Sequence, residues 1–220
     1  MLTNSNTALR PPRFLQPNAL RYDPFGGTLR TTQGQRAVAF PSELIVGLHK
    51  ALERETGRAM PLVTYTCGRH WGERLMQRWQ REWSEEYGVT LAELDSGRAE
   101  QWLVHTFRSH GWGDLQLDYT YERHGVLLWH VRNSVFVELL PDLDEPRVCA
   151  IFAGLLAAVT SAFAGTALEC VEFGCAKAGH GHCSFAVSDP SRIERGQDAA
   201  FERRAPNEVL AAVLNTGAAP

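Results

Sequence analysis

The run CAIFAGLLAAVTSAFAG, residues 149–165, leads into ALECVEFGCAKAGHGHCSFAV, residues 167–187. The first run is apolar almost throughout, but it is short, rich in Ala and Gly, and interrupted by Thr160 and Ser161. That composition predicts a buried core helix ended by Gly165, not a bilayer span. The second run predicts a hairpin, with one strand over 167–173, a cysteine-rich loop, and a return strand over 184–187. Leu168, Cys170 and Glu172 then share one face of the first strand. A helix feeding an antiparallel hairpin gives an α+β chain, its helices packed on an antiparallel sheet.

Upstream the pattern agrees. Leu115, Leu117, Tyr119 and Tyr121 alternate with polar residues, which predicts a half-buried strand. A turn at His124-Gly125 leads into a second strand over 126–131, and 141–146 reads as an acidic loop. Residues 60–87 predict a long helix with Val63, Cys67, Trp71, Leu75, Trp79 and Trp83 recurring every four residues. Gly68 and Gly72 flank that stripe, where a second backbone could approach closely. Thr90 is expected to cap a further helix carrying Leu91, Leu94, Trp102 and Phe107. Before these, Ser42 is expected to cap a helix burying Leu44, Ile45, Leu48 and Leu52, and residues 20–40 read as a hairpin turning at Asp23-Pro24-Phe25-Gly26-Gly27. Residues 1–18 are expected to form a flexible arm, 19–190 the folded domain, and 191–220 a peripheral C-terminal segment.

Composition excludes little but points clearly. A formal net charge of -3 gives no general attraction for nucleic acid or acidic membranes. The first residues lack the basic-then-apolar order of a secretory signal, so the expectation is a cytoplasmic protein with no membrane span and no direct nucleic-acid partner. There is no Gly-x-Gly-x-x-Gly turn for a dinucleotide, and neither Ser134 nor Ser161 has an evident base beside it. The chain is therefore read as more a binding module than an enzyme.

In a reducing compartment, three cysteines within fourteen residues favour a metal or a reactive thiol. Glu172, Cys175 and Cys183 can converge at one end of the hairpin, and Cys149, at the start of the helix, can supply a fourth ligand. Three thiolates and a carboxylate suit tetrahedral zinc, with Lys177, Arg147 and the helix N-terminus offsetting the excess negative charge. Cys170, His180 and His182 compete for the same role, and small apolar cysteines also simply pack.

These residues carry a resemblance. Cys149 with the following Ala-Ile-Phe-Ala-Gly, the stretch 160–165, Glu172-x-x-Cys175 and the run from Gly179 to Cys183 are similar to the 4-vinyl-reductase domain family. Most similar are the sensor domains of phenol- and xylene-responsive bacterial activators. The resemblance implies zinc held by Cys149, Glu172, Cys175 and Cys183. It also implies a fold shared with vesicle-tethering (TRAPP) subunits, frequent homodimerisation, and a ligand held between helices and sheet. In the phenol sensors a histidine and a strand tryptophan orient the ligand hydroxyl, and His105 and Trp129 resemble these. Phe107, Trp112, Tyr119 and Phe136 complete the expected aromatic lining of a site for a small hydrophobic, aromatic compound. The run from His110 to Gly113 looks more like stand-alone family members linked to tetrapyrrole or chlorophyll synthesis. That role, or a trafficking-subunit-like scaffold with a filled core, is the alternative to a sensor or carrier.

Overall fold

The structure is a computed structural model describing residues 20–31, 34–88, 90, 93 and 96–215. The expected arm of residues 1–18, and Leu91 and Leu94, lie outside the described residues. Three strands open the described chain: β1 (Leu20–Asp23), β2 (Thr28–Thr31) and β3 (Arg36–Ala37). They pair antiparallel in sequence order, with Tyr22 opposite Leu29 across the expected turn. Asp23 fixes that turn by accepting from the backbone N–H groups of Phe25 and Gly26.

The main sheet has four antiparallel strands in the order β4-β5-β7-β6. They are β4 (Asp114–Asp118), β5 (Leu127–Arg132), β6 (Glu169–Gly174) and β7 (Cys183–Ser188). Helix α5 (Ala150–Ala164) lies between this sheet and the long helix α2 (Met60–Tyr87). Every residue of α5 from Phe152 to Thr160 is buried, as expected of a helix covered on all sides. Trp129, Val131, Phe185 and Val187 line the inner sheet face in the main core.

Glycine sets the distance between α2 and α5. A Cβ added at Gly68 would lie 2.0 Å from the carbonyl oxygen of Ile151, and one at Gly154 would lie 2.0 Å from that of Tyr65. The two backbones therefore touch where a side chain would hold them apart. Along the second half of α2 the expected stripe holds, with Leu75, Trp79 and Trp83 buried; along the first half this close approach turns the glycine face inward instead. Met60, Thr64, Gly68, Gly72, Met76, Trp79 and Trp83 are buried, and Cys67 is exposed.

Helix α1 (Ser42–Thr56) also departs in part from its expected face. Ile45, Val46 and Leu52 pack inward around the buried His49, while Leu44 and Leu48 are exposed. Its N-cap is Pro41, not Ser42, and no side chain caps it. Helix α3 (Ser96–Ser109) runs unbroken through Gly97. The short helix α4 (Val135–Leu139) follows β5.

The C-terminal segment is more than peripheral. Helices α6 (Pro190–Phe201) and α7 (Pro206–Leu214) cover the outer face of the sheet. Ile193, Ala199, Val209 and Val213 bury against Leu128, Val171, Phe173 and Ala186 in a second core. Asp189 starts α6 by accepting from the backbone N–H groups of Ser191 and Arg192. Among the described residues, no helix is long and apolar enough to cross a membrane.

Candidate metal centre and aromatic core

The four expected ligands meet. The ligand atoms of Cys149, Glu172, Cys175 and Cys183 all lie within 4.8 Å of one another, and all four residues are buried. Cys183 Sγ is 3.5 Å from Cys149 Sγ and 3.7 Å from Cys175 Sγ. A β-bulge makes this convergence possible. Glu172 pairs with Phe185, but Gly174, only two residues on, pairs with the very next residue back, Ser184. The extra residue reverses the alternation of β6. Carried one residue further, that register turns Cys175 inward opposite Cys183, instead of outward where a regular strand would aim it.

Cys149 sits at the N-cap of α5, and its backbone N–H donates to Glu172 Oε2 at 2.9 Å. The helix N-terminus thus holds one carboxylate oxygen, while Glu172 Oε1 is buried with no hydrogen-bond partner among the described residues. Ser134 Oγ lies 3.2 Å from Cys149 Sγ and completes the surroundings of that sulfur.

Burial pushes the Glu172 carboxyl and the Cys149 thiol well above their usual ranges. Hydrogen bonds from the Cys149 and Cys175 thiols hold Cys183 down at about 5. The pocket by itself therefore favours one sulfur anion and resists further charge. A bound cation removes that resistance, so the group can hold a metal ion and leaves Glu172 Oε1 free to join it.

The competing residues fall elsewhere. Cys170 faces inward on β6 but is outside the group, and burial raises its thiol pKa. His180 is exposed, and the His182 ring meets His130 edge-on at 4.6 Å. Arg147 acts on Glu172 as expected. Lys177 does not balance the cluster. Its ammonium donates to the carbonyls of Leu143 and Glu145 and ties down the acidic loop.

The aromatic core is only partly the expected one. Phe107, Phe136 and Trp129 are buried in the main core, and Trp112 packs against it. Ring centroids lie 5.0 Å apart for Phe107 and Phe152, 4.7 Å for Phe136 and Phe152, and 5.4 Å for Phe107 and Trp112. Tyr119 is 43% exposed beyond the end of β4, and its hydroxyl donates to Glu100. His105 is exposed as well. Helix α3 turns Trp102, Leu103, Thr106 and Phe107 inward, which leaves position 105 on its outer side.

His110 stacks on Trp112 with ring centroids 4.4 Å apart, and the buried histidine beside the rings is His49, 7% exposed, with its ring centroid 5.6 Å from that of Phe136. The Nδ1 of His49 lies 2.9 Å from the Ile45 carbonyl oxygen, which can only accept, so Nδ1 carries the proton. In the neutral ring Nε2 is then an acceptor, and it is buried without a partner among the described residues. Trp129 Nε1, a donor, is also buried without one. The spacing of Ile45, His49 and Leu52 along one helical face is the sequence signal for His49.

Sequence reading also misses a polar chain on the outer sheet face. His130 Nδ1 is 3.0 Å from Ser184 Oγ, and His130 Nε2 is 3.5 Å from Asp118 Oδ2. Strand register brings His130 and Ser184 together as direct cross-strand partners. Ser184 is 6% exposed, so its hydroxyl ties two strands together and is not presented to a substrate.

Compared with protein-family models, residues 129–189 match the 4-vinyl-reductase domain. No curated protein sequence matches the chain. Among solved structures the chain is similar to the phenol-responsive sensory domain of the transcription activator PoxR with phenol. The identity is 19%, over 83% of this chain and 91% of that one, with a TM-score of 0.61. It is also similar to a trafficking protein particle complex subunit 3 from Naegleria fowleri covalently bound to palmitic acid, with 16% identity, 67% and 93% coverage and a TM-score of 0.48. A vinyl-4-reductase family protein from Methanocaldococcus jannaschii gives 16% identity, 69% and 83% coverage and a TM-score of 0.46. The span that matches the 4-vinyl-reductase domain, residues 129–189, contains all four members of the buried cluster.

Proposed function

We propose that this protein is a zinc-stabilised binding protein, a sensor or carrier for a small hydrophobic, aromatic compound. What supports zinc is the donor set and its spacing. Tetrahedral zinc with Zn–S bonds of about 2.3 Å sets neighbouring sulfurs about 3.8 Å apart, close to the 3.5 and 3.7 Å seen here. Magnesium and calcium demand oxygen ligands, and three thiols disfavour them.

The observation that carries the ligand reading is His49 Nε2, a buried acceptor beside Phe136 without a partner among the described residues. A ligand hydroxyl can donate to it, and an aromatic body can pack on the surrounding rings. The PoxR domain that shares this fold is phenol-responsive. Native mass spectrometry of the purified protein should find one zinc per chain. Calorimetry should find phenol binding more tightly than toluene. No binding of either compound would favour the scaffold reading, in which the rings fill the core by themselves.

A further inference from the structure

A second site lies away from the aromatic core. A cleft of about 550 Å³ opens between the start of α2, the start of α5, strand β6 and the end of α6. That volume falls within the range of small-molecule sites, about 300–1,000 Å³. Its walls include Leu62 and Phe201, apolar side chains left 67% and 58% exposed. Three arginines reach it from three different parts of the chain: Arg58 before α2, Arg147 before α5 and Arg203 after α6.

Their positions have one ordinary explanation, capping of the carbonyl end of α6. Arg58 Nη2 donates to the Phe201 carbonyl, and Arg147 donates from Nη1 to Ala200 and from Nη2 to Arg204. A guanidinium has five N–H groups, so these contacts fix each fork and still leave it donors. Arg58 also stacks on the Phe201 ring, 4.4 Å from its centroid.

Arg203 is the telling residue. It holds φ at 59°, the left-handed region where glycine fits without strain. Its side-chain contact is an exposed 3.4 Å pair with Asp144, of the kind that contributes little to stability. Against these three cations the cleft carries Glu145 and Asp198, and Glu172 lies at its floor as part of the metal cluster. The Glu145 carboxylate accepts from the backbone N–H of Arg147.

We propose that this cleft binds an amphipathic organic acid. Its apolar body lies against Leu62, Ala153 and Phe201, and its anionic group is held by Arg58, Arg147 and Arg203. Guanidinium forks suit the oxygens of a carboxylate or sulfonate, and those of Arg58 and Arg147 are already fixed by helix carbonyls. This site shares Glu172 with the metal cluster and Ala153 with the main core, but none of its three arginines takes part in the reading built on the aromatic rings.

Two fluorescent probes of nearly the same shape test it: 8-anilinonaphthalene-1-sulfonate, which carries the anion, and N-phenyl-1-naphthylamine, which lacks it. The wild-type protein should bind the sulfonate more tightly. Arg203→Gly and Arg58→Gln should each weaken the sulfonate about three- to tenfold and leave the neutral probe unchanged. Arg203→Gly relieves the left-handed backbone, so its melting temperature should not fall, and lost binding cannot then be assigned to unfolding. Leu62→Asp should weaken the neutral probe. Excess phenol, the probe for the aromatic core, should displace neither. The proposal is overturned if the wild type does not bind the sulfonate, as it would not if a second copy of the chain covered the cleft. It is also overturned if the arginine variants leave the sulfonate unaffected or weaken both probes alike, or if phenol displaces the sulfonate.

Discussion

Cys175 and Cys67 are both thiols in the same chain, and their surroundings separate them. Cys175 is buried beside Cys183, whereas Cys67 is exposed on α2. Cys175→Ala should therefore lose most of the bound zinc and about 3 kcal/mol or more of stability, because metal affinity contributes directly to folding here. Cys67→Ala should keep one zinc per chain, as metal analysis and melting curves would report. His49 carries the second residue-level prediction. A hydroxyl buried without its partner costs about 1–3 kcal/mol, so His49→Phe should weaken phenol about five- to a hundredfold and leave toluene little changed. Equal losses for both ligands would reduce His49 to a packing residue. The metal cluster is partly legible in sequence: Cys170, Cys175 and Cys183 crowd into fourteen residues, but Cys170 lies outside the group, and the resemblance is what selects Cys149 and Glu172. The polar ligand contact is not. His105 precedes the sheet and fits the family's order of residue types, but α3 presents its other faces to the core. His49 lies in a helix whose apolar residues alone suggest a different buried face.

At the scale of elements, α1 and α2 show how far periodicity reaches. The existence of both helices and the extent of α2 follow from their apolar spacing, but counting apolar residues misplaces part of each buried face: Leu44 and Leu48 in α1 and Cys67 in α2 are exposed, while Ile45, Leu52, Leu75, Trp79 and Trp83 turn inward. Large aromatic residues dominate a hydrophobic count, whereas the deepest contact between α2 and α5 is made by residues without side chains. Gly68→Ala should consequently be among the most damaging small substitutions in the chain. Its new methyl group would press on the backbone of Ile151, which cannot rotate away, and a cost of about 3 kcal/mol is expected. Gly47, on the exposed side of α1, has nothing within 4 Å of an added Cβ. Gly47→Ala should stabilise by about 0.5–1 kcal/mol through helix propensity alone. Urea unfolding of the two variants should move in opposite directions, and similar small effects would contradict the close helix contact. The bulge in β6 is likewise beyond sequence reading. Glu172-Phe173-Gly174 could alternate regularly, and only pairing with β7 reveals the extra residue.

For the molecule as a whole, the first described elements leave apolar surface uncovered. Leu20, Tyr22, Phe25, Val38, Phe40, Leu44 and Leu48 are all exposed. A homodimer that buries this surface is the proposed assembly, and light scattering at micromolar concentration should give twice the chain mass. The metal centre should also make global stability depend on pH in a defined sense. In the metal-free protein, burial raises the Glu172 pKa. Its contribution is therefore complete below the unfolded carboxyl value and is lost as pH rises through the folded one. Cys183, held down to about 5, does the reverse: its contribution is complete above the unfolded thiol value and is lost as pH falls through about 5. The two trends oppose each other where their windows overlap, above about pH 5. Zinc changes the balance, because its ligands must be deprotonated. Cys183, held down to about 5, is already anionic near neutrality, whereas burial raises Glu172 and Cys149 and favours their protonated forms, so each is expected to release a proton to the metal. At least two protons leave per zinc, so zinc affinity should rise about a hundredfold or more per pH unit. The gap in melting temperature between zinc-loaded and chelator-treated protein should widen in step from pH 6 to 8. Competition against a chelator of known pH dependence at pH 6, 7 and 8 measures the slope directly. A slope below two protons would mean that Glu172 or Cys149 is already ionised in the metal-free fold, and that the apolar surroundings of the cluster do not oppose its charge.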